Sequence, residues 1–399
     1  MQIIQEISPS LYWVGASDRR LERFENLFPI PAGISYNSYL FTDTKTALLD
    51  TVDSSVTQQF LENVRQALGG RPLDYLVVNH MEPDHCANIE ALVRLYPDVQ
   101  VVGNKKTFLL FSQFYEMDIE QNKLLVKEGD EISLGVHTLK FFFAPMVHWP
   151  EVMLTCETSK GILFSADAFG TFGALNGNIF ADQVEYERHF LGETRRYYAN
   201  IIGKFGTQVQ AAFAKLPIDS ITMICPLHGP IWRENIPFIF EKYRLWSTYT
   251  PERRGVVIAY ASMYGNTEAA VNKLALLLAQ RGVRDIRMFD LSRTHISEVV
   301  GEVWENSHLV VASPTYNMHL YSGAANLLDD LSALGLRNRK VAIIGNHSWA
   351  SAAQKSMEER VCSMKDCQVI ASMDIKSTLK DEQLGELEAL ADAIAHSVE

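Results

Sequence analysis

Positive charge is what this chain has least to spare. Its 36 lysines and arginines face 48 acidic residues, for a net charge of −12. That balance argues against nucleic acid as a partner, because phosphate backbones are bound through a basic footprint. It is equally unpromising for an anionic membrane surface. Long apolar runs are also missing, and none reaches the length of a membrane-spanning helix. The first residues carry neither the basic head nor the apolar stretch of a secretory signal, so cytoplasmic residence is expected. Cysteine is scarce. Cys86, Cys156, Cys225, Cys362 and Cys367 are odd in number, scattered, and form no C-x-x-C pair. Reduced thiols follow, with no disulfide framework, zinc ribbon, or fused rubredoxin or iron–sulfur module expected.

What remains has the make-up of a globular protein, and 399 residues exceed one ordinary core. Two domains are expected, at 1–250 and 254–399. The first mixes short apolar strands with helices. A hairpin is predicted at 39–41 and 47–49, and strands at 73–78, 99–102, 139–143, 162–164 and 221–224. Helices are predicted at 55–68, 88–95 and 194–215. A proline and a charge cluster near 246–254 fit a linker. Beyond it strands at 256–260, 286–291, 309–312, 341–344 and 369–373 alternate with helices, the pattern of a doubly wound parallel α/β sheet.

Four predicted strands of the first domain end in metal-capable side chains. His80, Glu82, Asp84 and His85 follow the first, His148 the second, Asp167 the third and His228 the fourth. Strands finishing at one sheet edge would deliver these loops to one place. Taken singly, His148 and His228 read as hydrogen-bonded histidines and Asp167 as a loop cap. The run from His80 to His85 changes that, because four ligand-type side chains directly after a buried strand are costly without a task. Seven ligands are too many for one ion and suit two, with Asp167 assigned as the bridge. Three carboxylates and four imidazoles without a thiolate disfavour structural zinc. Two divalent ions carry four charges. Glu82, Asp84 and Asp167 cancel three, and a bridging hydroxide would cancel the last. Cys86 and Cys225 read as small buried apolar residues.

His-x-x-x-Asp-His after a strand resembles the metallo-β-lactamase-like superfamily. Glu82 stands where its zinc hydrolases carry a second histidine. The resulting His80-x-Glu82-x-Asp84-His85 resembles the flavodiiron proteins, as do the His148-Trp149-Pro150 and Leu227-His228-Gly229 contexts. The resemblance implies an αββα sandwich holding two irons with an oxo or hydroxo bridge. His80, Glu82 and His148 would bind one iron, Asp84, His85 and His228 the other, and Asp167 would bridge. In some members the histidine at the place of His85 turns away from the metal.

In the second domain, Ser262, Met263, Tyr264, Gly265, Asn266 and Thr267 lie between a predicted strand and helix. There, backbone N–H groups and the helix N-terminus receive a phosphate. The loop has no lysine or arginine, which suits a flavodoxin-type site more than an ATP-type loop. Ser313, Pro314, Thr315, Tyr316 and Asn317 follow the third strand, and Asn346, His347, Ser348 and Trp349 the fourth. Both loops reach the strand-end crevice where a flavin ring would lie, and Trp349 could stack on it. These loops also resemble those of flavodiiron proteins, except that Ser348 stands where a glycine is usual.

The resemblance implies FMN as cofactor and reduction of dioxygen to water or of nitric oxide to nitrous oxide. It also implies an external donor such as rubredoxin or a reduced deazaflavin. A head-to-tail homodimer, or a dimer of dimers, would bring one chain's flavin to the other's irons. Apolar Met146, Val147 and Trp149 would keep bulk water out. The rival readings are a zinc hydrolase with a flavodoxin-like appendage, which Glu82 opposes, and a non-catalytic electron carrier or sensor, which the full ligand set opposes.

Overall fold

The computed structural model describes residues 3–398. The chain separates into two compact units. One runs up to Tyr198 and includes Phe205–Arg244; the other comprises Ala199–Lys204 and the chain from Leu245 on.

The first unit has two main sheets. The seven-stranded sheet runs, edge to edge, through Gln5–Ser8, Leu11–Trp13, Tyr39–Thr42, Thr46–Leu49, Tyr75–Val77, Gln100–Gly103 and Lys123–Leu125. The five-stranded sheet runs through Glu131–Ser133, Thr138–Phe143, Met153–Glu157, Ile162–Phe164 and Met223–Cys225. One buried cluster joins them, with Trp13, Phe41 and Val77 from the first and Phe141, Met153 and Phe164 from the second. Alternating inward residues of two sheets make a sandwich core in this way. Helices form where an apolar face can be buried and the ends capped. Thr57–Leu68 buries Phe60, Val64 and Leu68 and stops at Gly69, whose φ of 58° only glycine adopts freely. Lys105–Phe114 starts at a capping box between Asn104 and Thr107.

The helix predicted over 194–215 is broken. Leu191–Tyr197 gives way to a wide turn at Tyr198–Ile202 and a tight one at Gly203–Phe205, before Gly206–Phe213 resumes. Gly203 and Gly206 weaken a continuous helix, and Tyr197 and Tyr198 are fully buried at the break.

The second unit has the predicted parallel sheet, in the order Ile286–Asp290, Arg253–Tyr260, Asn306–Tyr316, Arg339–His347, Cys367–Lys376. This 2-1-3-4-5 order is that of flavodoxin-like folds. A short strand, His319–Leu320, adds antiparallel to the third. Helices Asn266–Gln280 and Leu384–Val398 share one buried cluster with Ile258, Val310 and Ile344 of the sheet. Strand order reverses between Arg253–Tyr260 and Asn306–Tyr316, so a crevice opens beyond their ends.

Candidate metal centre and flavin site

The ligand-bearing loops come from both sheets, not from one edge as expected. Thr138–Phe143, Ile162–Phe164 and Met223–Cys225 run in the same direction within the five-stranded sheet and lead to His148, Asp167 and His228. Tyr75–Val77, which leads to His80, belongs to the seven-stranded sheet. Asn79 ties the two edges together. Its carbonyl accepts Met153 N–H at 3.1 Å, and its side-chain oxygen accepts the Thr155 hydroxyl at 2.7 Å. Glu82 sits just before the short helix Pro83–Cys86, which turns Asp84 and His85 inward, where both are buried.

The seven side chains form two adjoining buried groups: His80, Glu82, His148 and Asp167, then Asp84, His85 and His228. In the first, Nε2 of His80 and of His148 lie 3.2 and 3.0 Å from Glu82 Oε2, and 3.2 and 3.1 Å from Asp167 Oδ2. In the second, Nε2 of His85 and of His228 each lie 3.3 Å from Asp84 Oδ2. Asp167 offers its other oxygen to this group, with Oδ1 3.1 Å from His85 and 3.5 Å from His228. Spacings near 3 Å are the edge lengths of a polyhedron whose metal–ligand bonds are about 2.0–2.2 Å. His85 faces the cluster instead of turning away, its Nε2 3.1 Å from that of His228.

Tautomers support the same arrangement. His228 Nδ1 lies 2.7 Å from the Ser35 carbonyl, which can only accept, so Nε2 carries the lone pair. His80 Nδ1 lies 2.8 Å from Glu151 Oε1, which also accepts Met81 N–H at 2.8 Å. Both oxygens of Asp84 and Oδ1 of Asp167 are buried without a hydrogen-bond donor. Buried carboxylates are normally paired or bound to metal. These orphaned oxygens and bare imidazole nitrogens fit a pair of cations. Neither nearby thiol joins the set: Cys86 Sγ donates to the Met81 carbonyl at 3.3 Å, and Cys225 belongs to the hydrophobic core.

The protein's own field is strong here. Burial works against charge on His80, but hydrogen bonds to Asp167, Glu151 and Glu82 outweigh it and push its pKa well up. His85 and His148 are each raised to about 9, against burial, by Asp84 and Asp167 in the first case and by Asp167 and Glu82 in the second. Glu82 and Asp167 are held well below the carboxylate range, again against burial, by the surrounding histidines. Cations would replace those protons.

A cavity of about 360 Å³ reaches this centre, lined among others by Phe24, Glu25, Tyr36, Glu82 and Asp84. Trp149 stands edge-on to His80 at 5.4 Å, and Phe24 edge-on to His228 at 5.4 Å.

In the second unit a cavity of about 510 Å³ opens at the strand ends. Among the residues expected to hold a flavin, Ser262, Met263, Tyr264, Asn266, Thr267, Pro314, Thr315, Tyr316, Asn317, Asn346, His347, Ser348 and Trp349 line it. Gly265 and Ser313 do not. Gly265 instead makes the turn before Asn266–Gln280, at φ 86°, and Ser313 is fully buried in its strand. Ser262 Oγ accepts Gly265 N–H at 3.1 Å and Glu268 N–H at 3.3 Å, which leaves its own proton to donate. Met318, Ala350 and Ser377 complete the lining. Trp349 is 89% exposed and Tyr316 49%, so neither is a core-packing aromatic. A cavity free of charged residues at a helix N-terminus, flanked by exposed aromatic rings, fits a flavin mononucleotide.

The ODP family beta lactamase profile matches residues 34–229. A nitric oxide reductase of Moorella thermoacetica is 34% identical, over 90% of either chain. This chain belongs to the flavodiiron proteins. The rubredoxin oxygen:oxidoreductase from Desulfovibrio gigas superposes with a TM-score of 0.93 at 27% identity, covering 99% of this chain and 98% of that one. For the fold alone, a flavo di-iron protein mutant from Thermotoga maritima gives 0.91 at 24% identity, over 100% and 99%. Flavodiiron proteins are oxidoreductases that carry a diiron site and FMN. Among the described residues of this flavodiiron protein, no helix is long and apolar enough to cross a membrane.

Several residues around this flavodiiron protein's candidate metal site escaped sequence reasoning. Glu151, fully buried, orients His80. Asp50 accepts the backbone N–H of Asn79 and of His80, at 2.7 and 3.1 Å. Glu25, on an exposed turn at the cavity mouth, has its carboxyl pushed up by the neighbouring Glu82 carboxylate. The Tyr197 hydroxyl is buried without a partner, and burial together with Asp167, Glu82 and Asp84 raises its pKa far above the ordinary value. Only Glu151 had a usable signal, its place three residues after His148.

Proposed function

We propose that this enzyme reduces dioxygen to water or nitric oxide to nitrous oxide at two irons, drawing electrons through FMN from a rubredoxin-type or deazaflavin donor. His80, Glu82 and His148 would hold one iron, Asp84, His85 and His228 the other, and Asp167 would bridge. The observation that carries this reading is the division of Asp167, with Oδ2 turned to the first group and Oδ1 to the second. The relatives are named as a nitric oxide reductase and a rubredoxin oxygen:oxidoreductase, which supports both substrates.

When bound, the iron pair and the flavin supply the electrons. The chain's own residues do the rest. Glu151 and Ser35 aim His80 and His228. Trp149, Phe24 and Val147 present apolar surface around the centre, which restrains water without closing it to a diatomic gas. The Tyr197 hydroxyl holds a proton in the field of Asp167, Glu82 and Asp84 and has no protein acceptor competing for it. The cavity residues named above would hold FMN, with the phosphate at the turn before Asn266–Gln280 and the ring beside Tyr316 and Trp349.

We extend the proposal to the assembly. The functional modules 1–250 and 254–399 would pair head to tail in a homodimer or a dimer of dimers. The exposed rim of the flavin cavity supports this: Tyr264 is 92% and Met318 59% exposed, apolar surface that a second copy would cover. A cytoplasmic setting is supported by five free cysteines.

The direct test is steady-state turnover of each gas by iron-replete, FMN-loaded protein with reduced rubredoxin. Two irons and one flavin per chain, with gas consumption, are expected. A single zinc and no yellow chromophore would overturn the reading. Full activity in an isolated monomer on dilution would remove the dimer.

A further inference from the structure

The residues lining the flavin cavity include no lysine, arginine, aspartate or glutamate. The only side chain there that ordinarily titrates near neutrality is His347. It ends the strand Arg339–His347, and its Nδ1 lies 3.0 Å from Asp374 Oδ2 on the neighbouring strand. Asp374 is itself fixed, accepting the Ser351 hydroxyl at 2.5 Å. The backbone is held as well, since Ser377 N–H donates to the His347 carbonyl at 2.7 Å. Nδ1 is buried without a hydrogen-bond partner, so the Asp374 carboxylate 3.0 Å away acts on the ring through its charge and not through an aligned hydrogen bond. No described protein group partners Nε2, and the ring borders the cavity.

The sheet order decides which part of the flavin His347 meets. The phosphate-type turn follows Arg253–Tyr260, and the strand Asn306–Tyr316 lies between it and Arg339–His347. Two inter-strand spacings are about 10 Å. His347 therefore stands on the ring side of the cavity, beside Trp349. A two-electron-reduced flavin ring takes one proton readily and otherwise keeps a negative charge, which nearby protein charge stabilises.

We propose that His347 is a redox-linked proton acceptor of the flavin site, with the Asp374 carboxylate beside it. When the donor delivers two electrons, the ring takes both with one proton, and Nε2 of His347 takes a second proton from solvent. The resulting imidazolium balances the ring's negative charge. The other charged groups nearby are Lys376, its register partner on the neighbouring strand, and Glu358, which accepts from Gln354 beside Gly345 of the same strand. Ser348, Ser351, Ser377 and Gln383 are neutral. The phenols Tyr264 and Tyr316 lie on the cavity side. This inference rests on the reading of the cavity as an FMN site.

The test is the flavin midpoint potential of the holoenzyme against pH, by spectroelectrochemistry over roughly pH 7 to 8. Each proton per two electrons contributes about 30 mV per pH unit. The native chain should show about 60 mV per unit and His347→Gln about 30. The variant should also lose about tenfold more affinity for reduced than for oxidised FMN. Equal slopes in the native chain and His347→Gln would overturn the proposal. Loss of oxidised FMN by His347→Gln would overturn it too, by making the residue a plain anchor. A native chain that binds no FMN would instead sink the reading of the cavity, and this inference with it.

Discussion

The two sites solve opposite problems. The candidate metal centre sits in buried surroundings and gathers seven ionisable side chains, with both oxygens of Asp84 and one of Asp167 lacking a hydrogen-bond donor. The flavin cavity opens beyond the ends of inner strands, has no lysine, arginine or carboxylate in its lining, and keeps its aromatic rings in solvent. Buried charges need compensation that neighbours alone supply poorly. The first unit therefore depends on its cations. The cavity of the second is shaped by strand ends and turns that the parallel sheet holds in any case. Metal loss should be felt as instability in one unit, and flavin loss as inactivity in the other.

The sharpest way to break this contrast is Asp167→Asn. It keeps the shape and removes the charge that faces both groups. Iron should leave both positions, with activity falling more than about 10²-fold, the upper range for mere supporting partners. Flavin content should hold, and metal analysis beside the flavin absorbance checks both. Retention of one full iron would show that the groups are independent. Chelation of the native protein is next. Ligands that bind only the folded state stabilise it by about 4 kcal/mol at a thousandfold excess over Kd. Calorimetry should show one transition moving down sharply and the other staying in place. Glu151→Gln should follow, at about 10–100-fold in iron affinity, because it orients His80 without touching metal.

What could be read in advance divides along chemical lines. Coordination demands particular residue types, so His80, Glu82, Asp84, His85, His148, Asp167 and His228 stood out before any fold was known. The βα alternation announced the second unit because apolar strands and amphipathic helices differ in period. Residues that act through a neighbour left little trace. Asp50 and Glu25 look like any carboxylate near a turn, and only packing reveals what they face. Gly203 and Gly206 were visible, but not that a wide turn at Tyr198–Ile202 would break the helix just ahead of them. Nor could apolar runs alone say that His80 and His148 arrive from different sheets, since pairing is long-range and a strand looks the same in either layer.

Smaller effects belong to the second unit. Trp349→Ala should weaken FMN about three- to tenfold, the worth of one aromatic stack, read by flavin fluorescence, with iron content unmoved.

Acid probes the contrast most finely, because it reaches the two units by different routes. In the first, protonation of the ligands releases metal. In the second, His308 is only 4% exposed, its ring nitrogens 2.7 Å from the Ser307 hydroxyl and 2.9 Å from that of Ser397. Burial, with Lys340 adding to it, depresses its pKa to about 4. Folded His308 thus stays neutral where the unfolded chain, near 6.5, already takes a proton. Its contribution is whole above about pH 6.5 and is lost as the pH falls toward about 4. Urea midpoints of the second unit should fall across that window, in chelated and iron-loaded protein alike. His308→Gln should flatten the fall and leave the acid release of iron where it was. If chelation abolished the fall instead, acid would be acting on the second unit only through the metal centre.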